Sequence, residues 1–170
     1  ALVRWQPPRL GVLSPSLFIG PAEETGSIVE LGRRVLEYAC RDARAWYDEF
    51  GDAAPFVSVN VAQRQLVEPA LVPEIADLLD RTGLRPDRLQ IELTERELTA
   101  DEGAPLKALD GLRAMGVRIA VDDFGTGYSN LSYLRKLPVD VIKLDGSFGE
   151  GLREEELSDP VDERIVGTLV

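Results

Sequence analysis

Short apolar runs rich in valine, isoleucine and leucine alternate along the chain with longer segments that have the periodicity of a helix. The predicted strands are residues 1–5, 56–61, 89–94, 117–123 and 139–145. The predicted helices are residues 22–50, 72–82, 105–115 and 130–137, and a last segment that begins at residue 159. Gly83 and Gly116 follow two of these helices, at the position where a helix C-terminus favours glycine.

Strand–helix units that repeat in this way predict a parallel sheet with right-handed crossovers. The units are about 30 residues long, which is typical of a (β/α)8 barrel, a fold that needs roughly 250 residues for its eight units. The chain has 170 residues and both its ends lie inside apolar patterns. We therefore expect an α/β fold of the TIM-barrel type, represented by its central strand–helix units and incomplete at both ends. An unclosed barrel exposes sheet edges, so we expect this piece alone to be inactive or poorly folded.

Each predicted strand can be sorted into two faces because side chains alternate along a strand. The apolar face should pack on the helices, and the other face of the strands carries Arg4, Asn60, Glu92, Asp122 and Lys143. In barrels of this class, catalytic groups from several strands meet at the carboxyl-terminal face. A single residue at a strand end is equally well explained as a helix cap or a turn residue. Burying the whole set without a ligand would cost several kcal/mol for each charge, which favours a functional site.

The composition limits the chemistry of such a site. The chain has no histidine, which excludes imidazole bases, Ser-His-Asp triads and histidine-ligated zinc. Its net charge of −11 disfavours non-specific binding to DNA or RNA. Cys40 is the single cysteine and cannot form an internal disulfide, which suits a reducing compartment. No apolar run approaches the roughly 20 residues that a membrane helix needs.

Oxygen ligands predominate at the predicted strand ends, where they are supplied by Asn60, Glu92, Asp122 and Asp123. Such donors suit Mg²⁺ or Mn²⁺. Two ions roughly 4 Å apart would hold the attacking and leaving oxygens of a phosphodiester. Lys143 would donate to the phosphate or hold the attacking water, or act as a base if its pKa were lowered. Enolase-like proton abstraction is an equal alternative on spacing, whereas the number of acids disfavours Schiff-base chemistry at the lysine.

The motifs that contain these residues resemble the signatures of the EAL-domain cyclic di-GMP phosphodiesterases. The similar stretches are residues 13–26, 58–60, 92–95, 121–129, 131–134 and 142–145. They occur in the family's order and spacing and cover essentially the whole chain. The resemblance therefore implies that residues 1–170 form a partial EAL domain, with a TIM-type barrel that hydrolyses cyclic di-GMP to linear pGpG in bacterial signalling.

The resemblance also implies roles for individual residues. Two ions, Mg²⁺ or Mn²⁺, are expected, with the metal ligands Asn60, Glu92, Asp122 and, for the second ion, Asp123. Lys143 is expected to assist the attacking water and Arg4 to contact the substrate. Glu95 is expected to hold the following glycine-rich loop in register.

That loop links the site to dimerisation in the family, so a homodimer is expected. It consists of Phe124, Gly125, Thr126, Gly127, Tyr128 and Ser129. Diguanylate-cyclase-type or sensory domains are often attached in the family. The resemblance implies a cytoplasmic location, either as a soluble protein or as the cytoplasmic part of a membrane-anchored one.

Some features of the family are missing. The metal-binding glutamate of the Glu-Ala-Leu motif would stand immediately before Ala1, and a Glu-Gly-Val-Glu strand and a glutamine would follow Val170. Pro7 stands where the family often has histidine, and Gly146 replaces a common arginine. The expected alternative to the enzyme is an inactive receptor for cyclic di-GMP, which a neutral or apolar residue before Ala1 would favour. An enolase-like lyase or isomerase is a more distant alternative.

Overall fold

A parallel sheet forms the centre of the part of the chain that the computed structural model describes, namely residues 1–94, 103–124 and 138–145. Its strands are β1 (Val57–Asn60), β2 (Leu89–Thr94), β3 (Arg118–Phe124) and β4 (Val141–Leu144). They lie side by side in sequence order and every adjacent pair is parallel. A doubly wound sheet would reverse its strand order at a switch point, so this order is typical of a stretch of barrel wall.

Helices connect the strands and cover one face of the sheet. They are α1 (Ile19–Thr25), α2 (Ile28–Phe50), α3 (Gln63–Leu66), α4 (Leu71–Thr82) and α5 (Ala104–Ala114). Short 3-10 turns occur at Pro15–Leu17, Gly51–Ala53 and Pro86–Arg88. Gly83 ends α4 in the left-handed conformation with φ 66°, as its position in the sequence predicts. The predicted helix 130–137 and the segment from residue 159 lie outside the described residues.

The hydrophobic core lies between the helices and the apolar face of the sheet. It includes Val59 of β1, Ile91 of β2, Ile119 of β3 and Leu112 of α5, each no more than 1% exposed. The predicted division of these strands into an apolar and a polar face is therefore confirmed. Within residues 1–94, 103–124 and 138–145, no helix has the length and apolar character needed to cross a membrane.

The predicted helix over residues 22–50 is wrong at its beginning, because two helices occupy this region. Gly26 ends α1 with φ 81°, and its amide donates to the carbonyl oxygen of Glu23 at 3.2 Å. The hydroxyl of Thr25, the last residue of α1, donates to the carbonyl oxygen of Pro21 at 2.9 Å. A left-handed residue cannot continue a right-handed helix, so α2 starts anew at Ile28.

The predicted strand over residues 1–5 is also wrong. The backbone nitrogen of Ala1 donates to the carbonyl oxygen of Ser58 at the edge of β1, but no ladder continues from it. Instead, Trp5 forms an isolated antiparallel bridge with Leu13, whose amide donates to the Trp5 carbonyl oxygen at 2.7 Å. Pro7 and Pro8 lack the N–H group that a ladder needs, which explains why the chain turns here.

Candidate functional site

Polar side chains collect near the carboxyl ends of β2, β3 and β4, on the face of the sheet that the helices do not cover. The alternation along β2 sends Ile91 and Leu93 into the core and leaves Glu92 on the other face. In the register of the sheet, Asn60 of β1 pairs with Glu92. Asp122 lies two positions after the residue of β3 that pairs with Glu92. The parallel register therefore brings residues far apart in sequence to one end of the sheet.

Lys143 of β4 bridges two carboxylates. Its ammonium group donates to Oε1 of Glu92 and lies 3.6 Å from Oδ2 of Asp122. The side chain of Glu92 is 7% exposed, whereas those of Lys143 and Asp122 are 39% and 30% exposed. The structure thus joins three of the predicted site residues, one from each of three neighbouring strands.

The charges of this cluster stabilise one another. Burial alone would raise the pKa of Glu92, but hydrogen bonds from Lys143 and Ser58 outweigh burial and lower the pKa. Burial would lower the pKa of Lys143, but Glu92 and then Asp122 raise the pKa above its ordinary value. The lysine is therefore an ammonium at neutral pH. A raised pKa does not suit a general base or the neutral amine of Schiff-base chemistry.

The Glu92–Lys143 pair makes the stability of the metal-free protein depend on pH. A carboxyl with a lowered pKa stabilises the folded state above its ordinary pKa, and this contribution is lost as the pH falls through the lowered value. Lys143→Met leaves Glu92 as a buried, unpaired carboxylate. We expect the variant to be less stable than wild type near neutral pH, and the difference to shrink as the pH falls below the ordinary pKa of a glutamate. Urea unfolding of both proteins in the presence of a chelator, measured from neutral pH downwards, gives the difference in the free energy of unfolding. A difference that does not change with pH would contradict the pairing of Glu92 with Lys143.

Two further polar residues, Gln90 and Ser58, lie on the same face. The side-chain amide of Gln90 donates to Oγ of Ser58 at 3.0 Å and to Oε1 of Glu92 at 3.2 Å. Gln90 is only 3% exposed. By alternation, Ser58 shares the polar face with Asn60 and Gln90 shares it with Glu92, but the sequence pattern gives neither residue a role. A polar side chain two residues before Glu92 in a buried strand was the available signal.

Asp123 interrupts the regularity of β3. It has φ 53°, and the register between β3 and β4 shifts between Val121 and Phe124. The amide of Asp123 donates to Oδ1 of Asp122 at 3.2 Å. Such a bulge changes the direction of successive side chains and is common beside active sites. The two adjacent aspartates therefore do not follow the simple alternation that the sequence pattern assumes.

The other predicted site residues lie at the margin of this cluster or outside the described part. Asn60 is exposed beside a cavity of about 170 Å³ that Leu2, Ile28 and Val35 also line. Arg4 is exposed and donates to the carbonyl oxygen of Val3 at 2.9 Å. Glu95 and residues 125–129 lie outside the described residues, whereas Phe124 is buried at 3% exposure. The roles predicted for all of these residues stay predictions.

The donor set suits a hard cation. Glu92 and Asp122 converge on a single positive charge, and Asn60 adds an amide oxygen at the end of the neighbouring strand. Oxygen donors of this kind fit Mg²⁺ or Mn²⁺. Among residues 1–94, 103–124 and 138–145, no three histidine, cysteine or acidic side chains are close enough to form a metal site by themselves.

A larger cavity, of about 380 Å³, lies between α2 and α4, away from these strand ends, and is lined by charged side chains of both signs.

Comparison with known proteins identifies relatives over the whole chain. A family model described as the EAL domain matches residues 1–167. An uncharacterised protein of Mycobacterium tuberculosis is 44% identical over 171 residues, which cover 100% of this chain and 55% of the relative. MucR of Pseudomonas aeruginosa, named a bifunctional diguanylate cyclase/cyclic di-GMP phosphodiesterase, is 41% identical over 170 residues, or 100% of this chain and 24% of MucR. The chain thus spans about half the length of the mycobacterial relatives that it matches.

The same resemblance extends to three dimensions. A solved structure of the MucR phosphodiesterase in complex with c-di-GMP is similar with a TM-score of 0.84 and 41% sequence identity. The match covers 99% of this chain and 66% of the MucR chain. It confirms the predicted fold class, and the described residues form an open, four-stranded part of that fold.

Proposed function

The chain belongs to the EAL domain family, and from this premise we propose that it hydrolyses cyclic di-GMP to linear pGpG with two divalent ions, Mg²⁺ or Mn²⁺. Residues 1–170 would form part of the phosphodiesterase domain. The observation that supports this most directly is the convergence of Glu92 and Asp122 on Lys143 at the carboxyl ends of adjacent parallel strands. The 41% identity to MucR, whose solved structure holds c-di-GMP, supports the choice of substrate.

The side chains of the cluster suit both the binding of metal ions and the binding of the phosphate or the attacking water. The proposed metal ligands are Asn60, Glu92, Asp122 and, for the second ion, Asp123. Bound divalent ions would supply Lewis acidity at the phosphate. Lys143, an ammonium because Glu92 and Asp122 raise its pKa, would donate hydrogen bonds to a phosphate oxygen or to the attacking water. Water adds to one phosphorus, one ester P–O bond breaks, and the leaving oxygen takes up a proton, which opens the ring to the linear dinucleotide.

Further parts of the proposal concern the surroundings of the site. Arg4 would contact the substrate, and Glu95 would hold the loop from Phe124 to Ser129 in register. That loop would connect the site to a homodimer contact. The parent protein would act in the cytoplasm, with diguanylate-cyclase-type or sensory domains attached. MucR, which is named for both activities and only 24% covered by this chain, supports the proposal that a diguanylate-cyclase-type domain is attached.

A product assay on the complete natural protein tests the proposed function. Incubation with cyclic di-GMP and Mg²⁺ or Mn²⁺, followed by chromatography, is expected to yield pGpG. A chelator and Asp122→Asn are both expected to abolish this product. Asp80→Asn, which changes an exposed aspartate of α4 in the same way, is expected to retain wild-type turnover.

The assay also decides between the enzyme and its main alternative. Calorimetric binding of cyclic di-GMP by a folded wild-type protein that yields no pGpG would overturn hydrolysis and favour a receptor. Turnover that continues in Asp122→Asn would contradict the proposed metal site.

A further inference from the structure

Gln90 is a buried side chain whose hydrogen bonds end on the proposed metal site. It lies on β2 two positions before Glu92 and therefore on the same face of the strand. It is 3% exposed, so water cannot replace the partners of its amide. Its partner Ser58 lies directly opposite on β1, in register with Gln90. The three side chains form a short chain of hydrogen bonds across two strands.

The chemistry of the groups fixes the direction of these bonds. An ionised carboxylate only accepts hydrogen bonds, so the amide group that faces Glu92 must be the NH₂ of Gln90. This NH₂ donates to Oε1 of Glu92 at 3.2 Å and to Oγ of Ser58 at 3.0 Å. The hydroxyl of Ser58 also lowers the pKa of Glu92. Both donors on this side therefore favour the charged carboxylate.

Glu92 is thus held from two sides. Lys143 approaches Oε1 from β4, and Gln90 reaches the same oxygen from its own strand. The lysine is partly exposed and belongs to a long, flexible side chain, whereas Gln90 is enclosed. The amide is therefore a second contact on the carboxylate, and it comes from a side chain that is itself held in place.

We propose that Gln90 is a positioning residue, which orients the carboxylate of Glu92 so that its second oxygen is presented to the divalent ion. This inference rests on the proposed function, in which Glu92 is a metal ligand. Partners that orient metal ligands set metal affinity, and their loss weakens binding by about 10- to 100-fold. Gln90 itself does not touch the ion or the substrate.

Replacement of Gln90 by leucine tests the proposal, because leucine has a similar volume and no donor. In the complete protein without cyclic di-GMP, Mn²⁺ binding measured by electron paramagnetic resonance is expected to weaken at least about tenfold. At saturating Mn²⁺, kcat for cyclic di-GMP is expected to recover to within about threefold of wild type, because the ligands themselves remain. A loss confined to the metal dissociation constant is the signature of positioning.

Gln65 provides the matched control, since it is the same residue type and is also 3% exposed. Its Oε1 accepts a hydrogen bond from the amide of Ala62 at 3.1 Å, at the start of α3. Gln65→Leu is expected to lower Tm and to leave the Mn²⁺ dissociation constant unchanged. Gln90→Met, which keeps the unbranched shape of the side chain and also lacks a donor, is expected to weaken Mn²⁺ binding by a similar factor and tests the proposal if Gln90→Leu does not fold.

The outcomes separate this inference from the proposed function. Wild-type Mn²⁺ affinity in folded Gln90→Leu, or in Gln90→Met if the first variant does not fold, would overturn the positioning role and leave hydrolysis intact. A wild-type protein that binds Mn²⁺ but yields no pGpG would overturn hydrolysis, and weaker Mn²⁺ binding by Gln90→Leu would still support positioning. A wild-type protein that binds no Mn²⁺ at all would overturn both.

Discussion

Replacing Glu92 by glutamine is expected to reduce the metal-dependent hydrolysis of cyclic di-GMP by about a thousandfold. The substitution keeps the size of the side chain but removes the negative charge. Glu92 is buried, with a side chain 7% exposed, and pairs with Lys143, so no other described carboxylate can take its position. A neutral amide would also leave the ammonium group of Lys143 with Asp122 as its only carboxylate within 4 Å among the described residues.

The assay measures pGpG formation at saturating Mn²⁺, with the free energy of unfolding measured alongside. Glu49→Gln, the same change at an exposed position of α2, is the control and is expected to retain full activity. If Glu92→Gln retained activity within tenfold of wild type, Glu92 would not be a metal ligand. A folded but inactive variant would support the role proposed for it.

Gly32→Ala is expected to destabilise the protein, although Gly32 lies inside helix α2. Alanine is ordinarily favoured over glycine in a helix by about 1 kcal/mol. Here, a Cβ atom at position 32 would lie 1.9 Å from Nε2 and 2.5 Å from Cδ of Gln65. Gln65 is buried and bonds to the amide of Ala62, so it cannot move aside without losing that contact. Overpacking of this kind costs about 1–3 kcal/mol, which outweighs the helical preference.

Gly20→Ala gives the opposite expectation and is the control for this effect. Gly20 also lies in a helix, α1, but no atom comes within 4 Å of the Cβ position there. This variant is expected to gain up to about 1 kcal/mol. Urea unfolding of both variants measures the difference, and stabilisation of both would show that Gln65 adjusts freely.

The sequence pattern predicted most of the described strands and helices, because the signals are local. Strand β2 has the predicted bounds, and β1, β3 and β4 differ from theirs by one or two residues at either end. The errors arose where periodicity continued across a break. Gly26 divides the helical pattern over residues 22–50, and the apolar residues 1–5 have no neighbouring strand with which to form a ladder, apart from the isolated bridge of Trp5.

The sequence predicted fewer features of the site than of the fold. Alternation along each strand placed Glu92, Asp122 and Lys143 on one face, and the structure brings them into contact. It did not identify Gln90, because a polar residue in a strand acquires a role only through what it touches. It also could not anticipate the positive φ of Asp123, which depends on the register shift beside β4.

The sequence by itself determined the α/β class, the order of the elements and the family, and it predicted a set of oxygen donors at the strand ends, since each follows from local periodicity or from motifs read along the chain. Only the tertiary structure decided the direction in which the pKa of Lys143 is shifted, the enclosure of Gln90 and the sign expected for Gly32→Ala. The physical reason is that these properties depend on distances between residues on different elements. Strand register, the bulge at Asp123 and the packing of α2 on Gln65 set those distances.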